Sequence, residues 1–303
     1  MNAPIRALAP AVETLTFRAD IATLTGTLFR PAGRPRAAIV LHAATGVPAR
    51  YYRHFAAWLA DRGYACLTYD YRGLGASATR PMRDETATLA DWGLRDQPAA
   101  QRALEAAVGD VPVWAIGHSI GGMMVPFNEG AARLDRLITV ASGPVHLSDH
   151  PLGWKARAHL FWNGPGALAA AALGYLPGKI LGLGADLPAG VYWQWRRWCT
   201  TRGFYLGDIG ATLPMPEFRA FTGHLRAVAI ADDGMVPPAA VWRLLQTYPE
   251  AWKSQAVIRP AGRPIGHIAV FSPENAAHWP AILGQCASRS AQPAKIFSSP
   301  TTM

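Results

Sequence analysis

Cysteine is scarce in this chain, with 3 residues in 303. Cys66, Cys199 and Cys286 lie far apart and form no C-x-x-C pair, which argues against a disulfide framework and a cysteine-based zinc site. We therefore expect a reducing compartment and a cytoplasmic location. The sequence has no H-E-x-x-H motif or acidic cluster, and "GLGAD" at 182–186 lacks the third glycine of a dinucleotide-binding loop. These absences predict no metal and no other cofactor.

Long apolar runs are also missing. No stretch reaches the roughly 18 apolar residues that span a bilayer, and "MNAPIRALAPAVETLTF" has no continuous apolar core of a signal peptide, so we expect no integral membrane segment. Acidic residues number 20 against 29 Lys plus Arg, which gives a formal charge of +9. The basic residues are scattered and form no nucleic-acid-binding motif, so we expect a small-molecule partner and no nucleic acid. The oligomeric state stays open.

What the chain does contain is an alternation of short apolar runs and longer amphipathic segments. "AAIVLH" at 37–42 is followed by "ARYYRHFAAWLADRG" and then by "YACLTYDY" at 64–71. The order repeats with "LADWGLRDQPAAQRALEAAVG", "VPVWAIGHS", a helix from Ile120 and "RLITVAS". Such βαβ units predict an α/β fold with a mostly parallel, doubly wound sheet.

The pattern changes after about residue 145, where segments rich in Trp, Pro and Gly begin. It resumes with "LRAVAIADD" at 225–233. We therefore predict a core formed by residues 1–145 and 219–288, with an inserted helical cap or lid at 146–218. The last residues, 289–303, have little apolar periodicity and are predicted to form a flexible tail.

One short stretch, "AIGHSIGG" at 115–122, places Ser119 between Gly117 and Gly121 directly after an apolar run. A strand that reverses sharply into a helix needs small residues on both sides of the turning residue. Such an elbow would expose the Ser119 hydroxyl and direct the Ile120 N–H at a developing oxyanion. The alternative is an ordinary glycine-rich turn.

A serine nucleophile also needs a base and an acid that orients the base. Asp232 and Asp233 follow the run "RAVAIA", and the last apolar run, "AVIRPA", leads into "GRPIGHIAVF", which contains His267. Taken singly, an Asp-Asp pair before Gly is typical of a turn, and a Gly-His pair is typical of a surface loop. Their order along the chain, Ser then Asp then His, favours a catalytic triad.

With these motifs the sequence resembles the α/β-hydrolase superfamily over roughly residues 14–285. "DYRGLGAS" at 70–77 is similar to the loop after that superfamily's fourth strand, "DGMVP" at 233–237 to its acid loop, and "GH" at 266–267 to its histidine turn. "AATGVPARYYRHFA", "ADWG", "GYLPG" and "DLPAGVYWQWRRWC" resemble a bacterial subgroup of predicted α/β hydrolases that is grouped by name with serine aminopeptidases. The resemblance implies a mechanism and leaves the substrate open.

The resemblance implies that Ser119 is the nucleophile, His267 the base and Asp233 the acid, because Asp233 fits the D-x-x-V-P spacing and Asp232 does not. It also implies that the Ala44 N–H joins that of Ile120 in the oxyanion hole, although Ala43 stands where the common pattern has glycine. The other histidines near these motifs have simpler interpretations. We expect His118 to pack at the elbow, His42 to orient a loop, and His54 to be a structural residue on a helix.

The predicted insertion is rich in tryptophan. Tyr192, Trp195 and Cys199 recur at helical spacing, which fits a stripe that packs the insertion onto the sheet. The alternative is a lid that supplies an aromatic acyl pocket with a nearby cation. That alternative gives a substrate-binding set of Trp193, Trp195, Trp198, Arg196 and Arg197.

These residues favour a cofactor-free serine hydrolase that cleaves a carboxylic ester or thioester through an acyl-enzyme. An amidase or aminopeptidase is the enzymatic alternative, because the same triad cleaves both kinds of bond. A binding protein that kept the fold without catalysis is the third hypothesis.

Overall fold

The structure of the protein, a computed structural model, describes residues 11–284. Within them ten strands follow one another: β1 (Ala11–Ala19), β2 (Ala22–Arg30), β3 (Ala37–His42), β4 (Tyr64–Tyr69), β5 (Val113–His118), β6 (Arg136–Val140), β7 (Tyr175–Leu176), β8 (Leu187–Pro188), β9 (His224–Ile230) and β10 (Trp252–Ile258). The α-helical segments of the same residues are α1 (Arg53–Ala60), α2 (Leu89–Asp91), α3 (Gln97–Val108), α4 (Ile120–Met123), α5 (Leu152–Asn163), α6 (Pro165–Leu173), α7 (Ala189–Thr200), α8 (Pro238–Gln246) and α9 (Trp279–Leu283).

Eight of the strands form one twisted sheet in the order β1-β2-β4-β3-β5-β6-β9-β10. β2 pairs antiparallel with β1 and β4, and every other neighbouring pair in this sheet is parallel. The predicted fold class, a mostly parallel doubly wound α/β sheet with an inserted helical cap, is confirmed. The six apolar runs all form strands, whereas the β1–β2 hairpin was not predicted.

The central strands are the hydrophobic core of the molecule. All six residues of β3, all six of β4 and all five of β6 are buried, because helices cover a parallel sheet on both faces. α1 packs against β4, α3 against β3 and α8 against β9. In contrast, β1 alternates between exposed and partly buried residues, as an edge strand does.

The helix predicted from Ile120 does begin there, but it is short. α4 ends at Met123, and a 3-10 turn follows at Val125–Phe127. Pro126 in that turn has no backbone N–H to donate, so the α-helical ladder cannot continue through it. The chain then leads into β6.

The chain between β6 and β9 carries the inserted segment. It contains α5, α6 and α7 together with the small antiparallel sheet of β7 and β8. The predicted limits of the cap, 146 and 218, fall within this connection and stay a prediction, as does the division into core and cap. Residues 285–288 of the predicted core and the predicted tail at 289–303 lie outside the described residues. No helix among residues 11–284 combines the length and apolarity that crossing a bilayer requires.

Candidate active site

Ser119 lies at a sharp turn between β5 and α4. Its backbone angles, φ 55° and ψ −121°, are unusual for a residue with a side chain. Glycines make the turn sterically possible: a Cβ on Gly117 would come within 2.4 Å of Gly122, and one on Gly121 within 2.2 Å of the His42 carbonyl oxygen. The turn therefore has the close packing of a nucleophile elbow, and it leaves the Ser119 side chain partly exposed.

The three predicted triad residues lie in one hydrogen-bonded row. His267 Nε2 is 2.9 Å from Ser119 Oγ, and His267 Nδ1 is 2.7 Å from Asp233 Oδ2. Asp233 is buried, and its Oδ1 accepts hydrogen bonds from the backbone N–H groups of Met235 and Val236. Because an ionised carboxylate can only accept, Nδ1 carries the proton of the neutral ring. Nε2 is then free to accept the Ser119 proton.

Asp232 has a different set of contacts. Its two carboxylate oxygens accept the backbone N–H groups of Ile265 at 2.9 Å and Gly266 at 3.1 Å. Gly266 immediately precedes His267 and has a φ of +59°, a value that favours glycine. Asp232 therefore anchors the histidine loop rather than the imidazole. Asp232 thus holds the backbone of the two residues before His267, and Asp233 holds the His267 side chain.

The predicted oxyanion donors differ in their surroundings. Ile120 lines the cavity above Ser119, and its N–H has no hydrogen-bond partner within residues 11–284, so its assignment stays a prediction. The Ala44 N–H instead donates to the Tyr52 hydroxyl at 3.0 Å. Ala44 is thus not the free donor that the sequence predicted, because a buried tyrosine already occupies its N–H.

The same tyrosine begins a chain of hydrogen bonds beneath the site. The Tyr52 hydroxyl donates to His118 Nδ1 at 2.8 Å, and His118 Nε2 donates to the His267 carbonyl oxygen at 2.9 Å. Burial, followed by the proximity of His267, lowers the pKa of His118 to about 3, so its ring is neutral in the fold. His118 does more than pack at the elbow, since it joins the elbow to the histidine loop.

The two other histidines near the motifs are not part of this row. His42 is buried, its Nδ1 lies 2.8 Å from the Tyr69 hydroxyl, and burial lowers its pKa to about 3. His54 lies exposed on α1. Neither His42 nor His54 lines the cavity over Ser119.

A cavity of about 340 Å³ opens over Ser119 between the sheet and the insertion. Its wall is largely apolar and includes Met123, Val145, Leu183, Phe204, Met235 and Val236. Its size and apolarity suit a small acyl group. No Asp or Glu lines the cavity within the described part of the chain.

Of the three tryptophans predicted to bind substrate, only Trp195 lines this cavity, where it packs on Trp162 at 4.9 Å between ring centroids. Trp198 is fully buried, and its indole N–H donates to Asp208. Trp193 is 36% exposed and packs on Tyr192. The prediction is therefore corrected for Trp193 and Trp198, which lie on the other faces of α7.

Arg196 and Arg197 are also directed away from the cavity. Arg196 donates to the Trp162 carbonyl and the Asn163 side chain, at 2.6 and 2.7 Å. Arg197 forms a bidentate ion pair with Asp208, at 2.9 and 2.6 Å. Burial would raise the pKa of Asp208, but hydrogen bonds from Arg197, Gln194, Trp198 and Thr212 outweigh it and hold that pKa below its usual range. Both arginines fasten the insertion together, so their predicted contact with substrate is corrected.

Several cavity residues come from a segment that sequence reasoning did not select. α5 contributes five side chains to the wall, and the loop before it contributes His150. The α5 residues recur at i, i+3, i+4, i+7 and i+8, a spacing that puts them on one helix face. That spacing could have identified the stripe: Trp154, Arg157, Ala158, Phe161 and Trp162.

The comparisons with known proteins agree with this architecture. Residues 33–157 match the family model described as serine aminopeptidase, S33, and Asp233 and His267 lie beyond the matched residues. No curated protein matches the sequence. Three similar solved structures are an esterase from Thermogutta terrifontis (16% identity, 89% of this chain and 97% of that chain, TM-score 0.55), a soluble variant of monoglyceride lipase from Saccharomyces cerevisiae (14%, 93% and 98%, 0.60) and the thioesterase domain from the curacin biosynthetic pathway (16%, 90% and 99%, 0.54).

Identities this low establish the fold, and the chain has the α/β-hydrolase fold. The resemblance to the α/β-hydrolase superfamily inferred from the elbow and the later motifs is confirmed. The family model matches fewer than half of the residues, and the neighbours show the fold alone. The bond cleaved and the roles of individual residues are matters for the proposal that follows.

Proposed function

We propose that the protein is a serine hydrolase that cleaves a carboxylic ester or thioester through an acyl-enzyme. The observation that carries this proposal is the hydrogen-bonded row of Ser119, His267 and Asp233, in which Ser119 lines an apolar cavity. Three proteins of similar structure, an esterase, a monoglyceride lipase and a thioesterase domain, support acyl transfer to water.

The geometry supports a two-stage reaction. Ser119 Oγ attacks the carbonyl carbon while its proton passes to His267 Nε2, and the Ile120 N–H faces the oxyanion. When the tetrahedral intermediate collapses, the bond to the alcohol or thiol breaks and His267 returns the proton to that leaving group. Water then attacks the acyl-enzyme, giving its proton to His267. Ser119 regains a proton as the carboxylic acid leaves.

An amidase or aminopeptidase of the same fold is the second candidate, and the description of the matched family as serine aminopeptidase favours it. An aminopeptidase must recognise a positively charged α-amine, for which a carboxylate is the suited partner. The cavity wall within residues 11–284 contains Arg157 and no Asp or Glu. This charge balance favours the ester or thioester. A non-catalytic binding protein is the third candidate.

Labelling with a fluorophosphonate probe tests the proposal directly. Wild-type protein should be labelled, Ser119→Ala should not, and Ser148→Ala should be labelled like wild type, because Ser148 lies outside the cavity and pairs with His146. Hydrolysis of short acyl esters and thioesters should then exceed hydrolysis of aminoacyl amides. Labelling of Ser119→Ala would refute the nucleophile, and faster amide cleavage would favour the aminopeptidase.

A further inference from the structure

The cavity over Ser119 has two chemically different ends, and α5 runs from one to the other. Trp154 and Trp162 both line it and are separated by eight residues, or about 12 Å along a helix axis. The end near Trp162 is aromatic: Phe161 and Trp162 pack on Trp195 with centroid distances of 5.9 and 4.9 Å. An acyl chain is suited to this end.

The other end of α5 lies against the acid loop. A Cβ on Gly234 would come within 2.0 Å of Trp154 Nε1, so the indole rests directly on the residue after Asp233. His150 is bound to the same place, since its Nδ1 is 3.0 Å from the Gly234 carbonyl oxygen. Arg157 lies one turn further along α5, with its guanidinium 5.8 Å from the Trp154 ring centroid. The cavity's polar side chains other than Ser119 are thus gathered at one end.

Arg157 differs in its partners from the two arginines of α7. Arg196 and Arg197 are held by protein oxygens, whereas Arg157 has no acidic partner within residues 11–284. It is exposed at the cavity wall, with its guanidinium over the Trp154 ring. A guanidinium in such a position is suited to a substrate oxyanion such as a phosphate.

His150 offers the complementary chemistry. A carbonyl oxygen can only accept, so His150 Nδ1 must carry the proton, and Nε2 of the neutral ring is an acceptor. Its Nε2 has no hydrogen-bond partner in the described part of the chain, and the residue is only 7% exposed. An unpartnered acceptor on an otherwise apolar wall favours a substrate that brings a hydroxyl or amide N–H to it.

We propose that His150 and Arg157 form a polar subsite that selects acyl substrates whose leaving group carries a phosphate and a neighbouring hydrogen-bond donor. This proposal rests on the proposed hydrolase function and names its substrate class. Two leaving groups share this chemistry: a glycerol phosphate, released from an ester, and a pantetheine phosphate, released from a thioester.

Matched neutral and phosphorylated substrates test the proposal and distinguish these sources. The pairs are octanoyl glycerol with octanoyl glycerol phosphate, and octanoyl pantetheine with octanoyl pantetheine phosphate. We expect wild-type kcat/KM to be higher for the phosphorylated member of at least one pair, and the pair concerned identifies the source. Arg157→Gln should lower kcat/KM for that substrate about 10-fold or more and leave its neutral partner within about twofold.

Lys155→Gln is the control variant. Lys155 lies on the same helix, has no acidic partner within residues 11–284 and does not line the cavity. If loss of any positive charge from the insertion abolished the preference for the phosphorylated substrate, Arg157→Gln and Lys155→Gln would lose that preference equally. This result would refute the subsite. A wild-type enzyme without preference in either pair would refute it as well.

The contribution of His150 is tested with an octanoyl propanediol phosphate, which lacks the free hydroxyl of the glycerol phosphate. Wild type should prefer the hydroxylated substrate, His150→Leu should lose that preference, and His150→Gln, which keeps an acceptor, should regain part of it. Loss of rate on both substrates alike in His150→Leu, without recovery in His150→Gln, would assign His150 to support of the acid loop and refute its role in the subsite.

A binding measurement separates failure of the subsite from failure of the hydrolase proposal. Calorimetry on Ser119→Ala needs no turnover, and we expect octyl phosphate to bind at least 10-fold more tightly than octanol. Arg157→Gln in the same background should abolish the difference. A preference for octyl phosphate in a protein that hydrolyses neither esters nor thioesters would retain the subsite and overturn the catalytic proposal. Equal affinities for octyl phosphate and octanol, in a protein whose wild type is an active hydrolase, would retain the catalytic proposal and refute the subsite.

Discussion

Replacing each of the adjacent aspartates by asparagine should have very different effects. In Asp233→Asn the side-chain oxygen can still accept the Met235 and Val236 N–H groups, which leaves the amide NH₂ facing His267 Nδ1. The ring must then accept at Nδ1 and carry its proton on Nε2. That tautomer cannot take the Ser119 proton, and the same substitution in a Ser-His-Asp triad lowers kcat about 10⁴-fold.

In Asp232→Asn the imidazole keeps its carboxylate. One of the hydrogen bonds from Ile265 and Gly266 is lost, because the amide has a single acceptor oxygen. Asp232 is exposed, so water replaces part of that bond, and we expect a cost of about 1 kcal/mol, equivalent to about 5-fold in rate at most.

The assay is kcat for a short acyl ester at pH 8, with melting temperature measured beside it. Ester hydrolysis by Asp233→Asn should be nearly abolished at an almost unchanged melting temperature. A larger loss of kcat in Asp232→Asn than in Asp233→Asn would refute this assignment of the two carboxylates.

Three further outcomes are expected. In wild type, kcat/KM should rise with acyl length, because each buried methylene contributes about 0.8 kcal/mol. Trp195→Ala should flatten this rise, whereas Trp193→Ala should not, because Trp193 lies outside the cavity. Equal flattening in both variants would contradict the cavity geometry. His42 and His118 have pKa values lowered to about 3 from 6.5, so the unfolded state binds more protons below pH 6.5 and the protein loses stability as the pH is lowered. From pH 8 to pH 5 each of these two rings should contribute a loss of about 2 kcal/mol in urea unfolding, and His42→Gln should reduce the total loss by about that amount; an equal loss in wild type and His42→Gln would contradict this. Asp208→Asn should lower the free energy of unfolding by about 2 kcal/mol and leave kcat/KM unchanged, because Asp208 binds Arg197 and Trp198 outside the cavity; a selective loss of activity would contradict that role.

The elbow was predictable from sequence because the spacing of Gly117, Ser119 and Gly121 is itself the signal. Gly117 is required by the close approach of Gly122 within the turn, whereas the His42 carbonyl that restricts Gly121 belongs to β3 and is not visible from local sequence. Asp233 and His267 were predictable because each lies in the loop that follows a strand whose apolar residues are recognisable, three residues after β9 and nine residues after β10 respectively. The order of strands in a parallel sheet then brings their carboxyl ends together.

The substrate-binding residues were less predictable because their contacts come from distant segments. The spacing of Trp195 and Cys199 identified an apolar stripe, but Arg197 and Trp198 turn toward Asp208, whose position depends on the following loop. α5 was missed because exposed leucines, Leu152 and Leu160, lie opposite its cavity stripe and obscure the amphipathic contrast.

The occupied amide of Ala44 illustrates a further limit. Its partner is a hydroxyl eight residues away, and that hydroxyl is placed by the packing of Tyr52 against Phe271. The aromatic contact joins residues from opposite ends of the chain. Local sequence can propose a donor, but it does not indicate which side chain folds back to occupy it.

The hydrogen bonds from Ala44 to Tyr52, His118 and the His267 carbonyl have a consequence for the order of events during synthesis. The three bonds span 8, 66 and 149 residues of sequence. The Ser119 turn leaves the ribosome long before the segment that carries His267. Until that segment docks, the serine lacks its base and His118 lacks its carbonyl partner. A nascent chain therefore holds an inert hydroxyl, and reactivity arises only when the last third of the chain closes over it.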